Sequence, residues 1–353
     1  MTYWITRISS ENDAINQGID YVINQNIALS AEEIDFSVID YISFPNLTNQ
    51  PARREKIISA LTSVVQENDL VVIQFPLWTQ LNFQEEFINQ LRRKPNVKLV
   101  ALVHDVTPWM YAQDYEPLKD FFLSQLRKFD LLLTANEKMS KRLEEDKVTV
   151  PSFPMQLWDF RYQGPLKEKT FKKQLNFLIH RGLKEIDYRA AAPLKIYSQN
   201  KENDKFKFLG SVEFQTIKNS NELPSLLEGG FGLVNAQNFK DFTNYDYNDY
   251  YGYVNSKRLS LYLAAGLPVI VPSNSPQAEL VRSRKLGLVL DNLNEIDHLL
   301  LNLTEQDYSA MLEAVKPWQE AVSTGFFTKR ALLNAIRILE LGFYDLVFEA
   351  DEK

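Results

Sequence analysis

Two adjacent cations at the start of a helix are the residues in this chain best suited to do chemistry. Residues 255–271 read Asn-Ser-Lys-Arg-Leu-Ser-Leu-Tyr-Leu-Ala-Ala-Gly-Leu-Pro-Val-Ile-Val. A helix is expected from about Ser256, ending at Gly266 in the C′ position that favours glycine, and Pro268 prevents its continuation. The β-branched run after it reads as a buried strand. Lys257 and Arg258 then fall in the first turn, where positive charge opposes the helix dipole. A polyanion at that end reverses the argument, because free N–H groups, the dipole and both side chains would converge on it. An ordinary solvated Lys-Arg pair is the competing reading.

Other chemistries have less support. The chain lacks cysteine, its three histidines (His104, His180, His298) are scattered, and it has no Asp-x-Asp pair, so a metal site is not expected. His104-Asp105 follows an apolar run and falls at the carboxyl end of a strand, where polar loop residues are often functional. A net charge of −7 argues against general nucleic-acid binding. The start of the chain has no signal-peptide pattern and no apolar run is long enough to span a membrane, so a cytoplasmic protein is expected.

These residues need a scaffold to hold them. At 353 residues, with 45% hydrophobic and 24% charged, the chain is longer than a single core usually grows, and two domains are expected. Strands are predicted at 3–8, 34–41, 69–75, 97–104 and 131–135. Helices are predicted from the loop at Ser9–Asp13 to about Asn24, capped by Ser10 or Asn12, and at 53–67, 83–93, 116–128 and 137–145. Pro151, Pro154, Gly164 and Pro165 then break the pattern. Alternation resumes with strands at 174–179, 194–197, 206–209 and 231–234 and helices near 184–188 and 223–228, and the chain ends in a long helix over 328–347. This is an α/β pattern of doubly wound parallel sheets, whose ligands bind at the carboxyl ends of the strands.

Several stretches together resemble one family. They are Gly-Gly-Phe-Gly-Leu-Val (229–234) with the Lys-Arg helix, Gln74-Phe75-Pro76 with Trp78, Val-His-Asp-Val-Thr-Pro (103–108), Trp158-Asp159, and Gly-Phe-Phe-Thr-Lys-Arg (325–330). The chain is similar over essentially its whole length to the GtfC-type accessory glucosyltransferases that modify serine-rich-repeat adhesins of Gram-positive bacteria. The resemblance implies a GT-B fold, two Rossmann-like domains facing a central cleft. Residues 1–155 would form the acceptor side and 156–327 the donor side, with the helix over 328–353 crossing back to the first domain. It implies transfer of glucose or N-acetylglucosamine from a UDP-sugar onto N-acetylglucosamine O-linked to Ser or Thr, with retention of configuration, no metal cofactor and a tetrameric assembly.

By position, the resemblance puts Arg181 against the donor diphosphate and Arg258 where the family usually has lysine. Because Lys257 is adjacent, either cation could reach the phosphate. Ser256 and Gly230 fall on the donor side. The uracil would be held by the backbone of a loop over 212–218, including Thr216 and Ile217, and the N-terminal loop reaching Asn16 would approach the diphosphate. Trp78, His104 and Asp105 fall on the acceptor side. The tyrosine-rich stretch 235–252 is either functional or a surface insertion or oligomer contact. A galactofuranosyl or other surface-polysaccharide transferase, or a silent partner subunit, are the alternatives.

Overall fold

Fully buried strands such as Leu70–Phe75, apolar except for Gln74, require helices on each side of a parallel sheet. The computed structural model of the chain has two such sheets. It describes residues 1–10, 18–43, 50–110, 116–179, 187–188, 190–199, 207–208, 211–234, 250–291 and 295–342. The first sheet contains β1 (Tyr3–Ser10), β2 (Phe36–Ser43), β3 (Leu70–Phe75), β4 (Lys98–Val103), β5 (Leu131–Thr134) and β6 (Ser152–Pro154). Its order is β2-β1-β3-β4-β5-β6, and every pair is parallel. Beside it lie α1 (Ile19–Glu32), α2 (Pro51–Thr62), α3 (Leu81–Arg92), α4 (Glu116–Leu126) and α5 (Glu137–Glu145).

The second half repeats this plan with β7 (Thr170–Leu178), β8 (Asp187–Tyr188), β9 (Leu194–Ser198), β10 (Lys207–Phe208), β11 (Val212–Thr216), β12 (Gly229–Leu233), β13 (Val269–Pro272) and β14 (Gly287–Leu290). Six of these form a parallel sheet in the order β11-β9-β7-β12-β13-β14, while β8 and β10 pair separately. The helices are α6 (Leu223–Leu226), α7 (Lys257–Ala264), α8 (Ala278–Ser283), α9 (Ile296–Asn302), α10 (Glu305–Ser323) and α11 (Phe326–Leu341).

Four sequence expectations are corrected. The first helix runs to Glu32, not Asn24, because Ile23, Ile27, Ala28 and Ala31 continue its buried stripe. Its N-cap is Gly18 and Ser10 is the last residue of β1, so Ser10 does not cap it; Asn12 lies outside the described residues. Of the stretch 212–218, expected as a loop, Val212–Thr216 is the edge strand β11. Asp187–Tyr188, placed in a helix by the sequence, is a strand.

The last helix crosses over. α11 packs on α1, β5 and β6 of the first sheet. Buried Asp159 accepts hydrogen bonds from the N–H groups of Phe327 and Thr328 at 3.1 and 2.6 Å, satisfying two donors at the start of α11. Burial pushes this carboxyl up to about 6, against the pull of those donors. Gly325, at φ 79°, turns the chain where an added Cβ would lie 2.2 Å from Ser30 Oγ of α1.

A second close approach fixes α7. At Gly232 a Cβ would lie 2.2 Å from the ring of buried Tyr262, whose hydroxyl accepts the N–H of Leu178 at 2.8 Å. Gly232→Ala is therefore expected to destabilise the chain by about 1–3 kcal/mol through overpacking. A thermal melt within 1 °C of wild type would contradict this.

Candidate functional site between the two sheets

The two sheets turn their carboxyl ends toward each other, and a cavity of about 490 Å³ lies between them. From the first half it is lined by Ile8 at the end of β1, the start of α1 (Gly18, Asp20, Tyr21, Asn24), Trp78 after β3 and His104 after β4. Leu178 and Ile179 after β7, Gln199 after β9, Ser220 and Lys257 line it from the second half.

Each first-half residue is held from behind. Asn24 Oδ1 accepts the N–H of Ile8 at 3.1 Å, tying α1 to the end of β1. Gln74 donates its amide to the carbonyls of Thr6 and Asn24 at 2.8 and 3.0 Å, so its Oε1 faces His104 Nε2 at 2.9 Å. That orientation makes Nε2 the protonated nitrogen of His104. The ring stacks on Trp158 with 4.8 Å between centroids and 9° between planes. Burial, and then the charge of Lys257, hold the His104 pKa well below its ordinary value, so the imidazole is neutral at neutral pH.

Trp78 is partly exposed at the cavity wall. Its neighbour Leu77 is clamped on both sides: the carbonyl accepts from Tyr41 Oη at 2.9 Å and the N–H donates to Gln84 Oε1 at 2.9 Å. Trp78 itself is held at φ 51°, a left-handed backbone that a bulky residue rarely adopts, and is 40% exposed at the cavity wall. Strain of this kind persists where surrounding structure enforces it, and it clusters at ligand sites.

The two cations of α7 separate. Lys257 is 10% exposed, and its Nζ lies 2.7 Å from Asp20 Oδ1 and 3.3 Å from Asp105 Oδ2. Burial opposes its charge, but Asp105 and Asp20 more than offset that and raise the ammonium pKa. Burial likewise raises the Asp105 carboxyl, against the pull of Lys257 and of the Tyr250 hydroxyl that donates to it. Arg258 donates from Nε to the Leu178 carbonyl at 2.7 Å and lies 5.2 Å from the centroid of Phe177. Its Nη atoms meet no partner among the described residues. They leave this turn two side-chain nitrogens for a ligand, next to Leu178 in the cavity wall although Arg258 itself is not part of the lining.

Several predicted site residues move. Lys257 lines the cavity as the centre of an ion cluster between the two halves, paired with the carboxylates of Asp20 and Asp105. Asp105 sits behind Lys257, outside the cavity lining. Gly230 lies apart from this cluster. It opens β12 at the end of the strand away from the cavity, at φ 75°, and its carbonyl accepts from Tyr308. Thr216 is exposed at the end of edge strand β11, and Ile217 is buried with its N–H donated to Ser198, so neither lines the cavity and that backbone donor is already in use. Ser256 is the N-cap of α7, without a side-chain cap bond, next to the cluster. Trp78 and His104 line the cavity, the latter as its strand-end position implied. Arg181 and Asn16 lie outside the described residues, as does most of the tyrosine-rich stretch, of which Tyr250 joins the ion cluster through Asp105.

Sequence reasoning missed Asp20, Tyr21 and Asn24. An acidic residue in a first helical turn is so common that Asp20 gave no signal by itself. The relevant clue was its distance from the strand end of β1.

Comparisons with known proteins fit this geometry. A glucosyltransferase 3-like N-terminal domain matches residues 2–157 and the corresponding C-terminal domain matches residues 179–335. Glucosyltransferase 3 of Streptococcus gordonii is 28% identical over 91% of this chain and 95% of its own length. The β-1,6-galactofuranosyltransferase WbbI of Escherichia coli K12 is 20% identical over 79% of this chain and 82% of its own. Among solved structures, an E. coli trehalose-6-phosphate protein bound with UDP-2-fluoro glucose superposes with TM-score 0.54 at 10% identity, covering 94% of this chain and 98% of that one. That likeness bears on the fold, and with the two parallel sheets it makes the architecture GT-B, as the sequence resemblance implied.

Proposed function

Because this chain belongs to the glucosyltransferase 3-like family, both of whose domains it carries, we propose that it uses a UDP-sugar to extend a protein-linked glycan. It is a glycosyltransferase of GT-B architecture. The donor is UDP-glucose or UDP-N-acetylglucosamine. The acceptor is N-acetylglucosamine on Ser or Thr of a serine-rich-repeat adhesin, and transfer proceeds with retention. The assembly is a cytoplasmic homotetramer.

One observation carries the reading: Arg258 stands in the first turn of α7, outside the cavity lining itself but bonded through Nε to the carbonyl of Leu178 in the cavity wall, with its Nη atoms unengaged among the described residues. As the anomeric bond breaks, negative charge grows on the leaving diphosphate, and preorganised cations lower that barrier. Arg258 and Arg181 supply the charge in this reading, with the helix dipole and without a metal.

Neutral His104 and exposed Trp78 face the side from which a sugar acceptor would enter. An aromatic wall suits the C–H faces of a pyranose, and His104 offers hydrogen bonding without adding charge. A galactofuranosyl donor is the second reading, favoured by the WbbI likeness. Measuring UDP release from UDP-glucose, UDP-N-acetylglucosamine and UDP-galactofuranose with a GlcNAc-O-Ser peptide separates the two. No release above the donor-only rate for any donor would sink both. Arg181→Ala is expected to abolish turnover with an unchanged circular dichroism spectrum; near-wild-type activity would remove Arg181 from the mechanism.

A further inference from the structure

The polar wall of the cavity carries a carboxylate, Asp20, where the sequence suggested only cations. Asp20 projects from the first turn of α1, its side chain 47% exposed, and lines the cavity with Tyr21, Asn24 and Trp78. Lys257 bridges it to Asp105, so the formal charges of the three groups leave one net negative charge. A phosphate brought to Lys257 would also meet Asp20, and like charges at contact distance repel strongly where water is scarce. A neutral polyol meets no such opposition. Its hydroxyls donate to a carboxylate, which has several lone-pair sites and can accept from more than one donor while keeping its ion pair.

The surroundings suit a sugar ring. Most of the lining is apolar: Ile8, Ile19, Leu178 and Ile179, with the strained, exposed Trp78. Ligand sites of this kind use a few placed polar groups to fix orientation within an apolar wall. Asp20 is well fixed for that role, since α1 is tied to β1 through Asn24 and the carboxylate is tied to α7 through Lys257.

We propose that Asp20 is a specificity residue that accepts hydrogen bonds from the hydroxyls of the acceptor pyranose, with Lys257 as its fixed counter-ion and Trp78 as the ring's apolar wall. The inference rests on the transferase reading above and adds to it the group that selects the acceptor. It also assigns Lys257 to the acceptor side, leaving the diphosphate to Arg258.

The test compares wild type with Asp20→Asn, using a GlcNAc-O-Ser peptide and its 3-, 4- and 6-deoxy analogues, with UDP affinity measured by calorimetry. Asp20→Asn is expected to raise the acceptor KM at least tenfold while leaving the UDP Kd within twofold. One deoxy analogue is expected to cost wild type tenfold or more in kcat/KM and to cost the variant less than threefold, because the partner of the deleted hydroxyl is already gone. An acceptor KM within twofold of wild type overturns the proposal. So does equal sensitivity of both proteins to every analogue, or a UDP Kd that rises in parallel with KM. If Asp20→Asn melts more than 5 °C below wild type, Asp20→Glu replaces it, since it keeps the ion pair and displaces the accepting oxygens; the same KM criterion applies. A wild-type protein that binds no UDP overturns the transferase reading itself, whereas an indifferent Asp20 in a UDP-binding protein overturns this inference alone.

Discussion

Arg258→Ala is expected to lower kcat/KM for the UDP-sugar by 10²–10³-fold, about 2.7–4 kcal/mol, the scale seen when one preorganised donor to a developing anion is removed. UDP binding should weaken less, by about 1.5–3 kcal/mol, because that is the scale of one hydrogen bond to a charged group. The larger loss in turnover follows from the charge that builds only as the glycosidic bond breaks. Arg258→Lys should recover part of the activity, since an ammonium supplies charge but cannot hold both the Leu178 carbonyl and a phosphate in a planar fork. Single-turnover kinetics with UDP-glucose and calorimetry with UDP read the two effects separately. Activity within threefold of wild type for Arg258→Ala would show that the diphosphate is held elsewhere.

Lys257→Met is expected to act on stability first. Lys257 is nearly buried between Asp20 and Asp105, and Asp105 is itself buried. Removing one partner of such a cluster strands a carboxylate in a low-dielectric site, a loss of roughly 3–5 kcal/mol. The melting temperature should fall on the order of 10 °C. Adding Asp105→Asn should restore most of that loss, because a neutral partner no longer needs a counter-charge. UDP affinity should stay within threefold, in contrast to Arg258→Ala. A Lys257→Met protein that melts like wild type but no longer binds UDP would reverse the roles assigned to these neighbouring residues. The two variants together thus separate the cation that holds the domains from the cation that meets the ligand.

Periodicity made the architecture readable. Apolar runs such as Leu70–Phe75 and Val269–Pro272 are buried along their whole length, and the helices between them carry one apolar stripe. Gly266 and Pro268 ended α7 where local stereochemistry requires, and the crossing of the last helix rests on Asp159 receiving the N–H groups of Phe327 and Thr328. His104 was also legible, since ligands in parallel sheets gather at strand ends and it follows an apolar run directly, whereas Trp78 was reached only through the family resemblance.

Charge partnership was not legible. Lys257 and Asp20 are 237 positions apart, and no local pattern tells a cation awaiting a phosphate from one already satisfied by carboxylates. The same limit hid the position of Gly230, whose end of β12 points away from the cleft. Local sequence decides which residues form strands and helices, because propensity, capping and apolar period act within a few residues. Whether Lys257 or Arg258 faces a ligand depends on which groups the other domain brings within 3–4 Å. The closure of the two sheets decides that, since Coulomb attraction and desolvation depend on distance in space rather than along the chain.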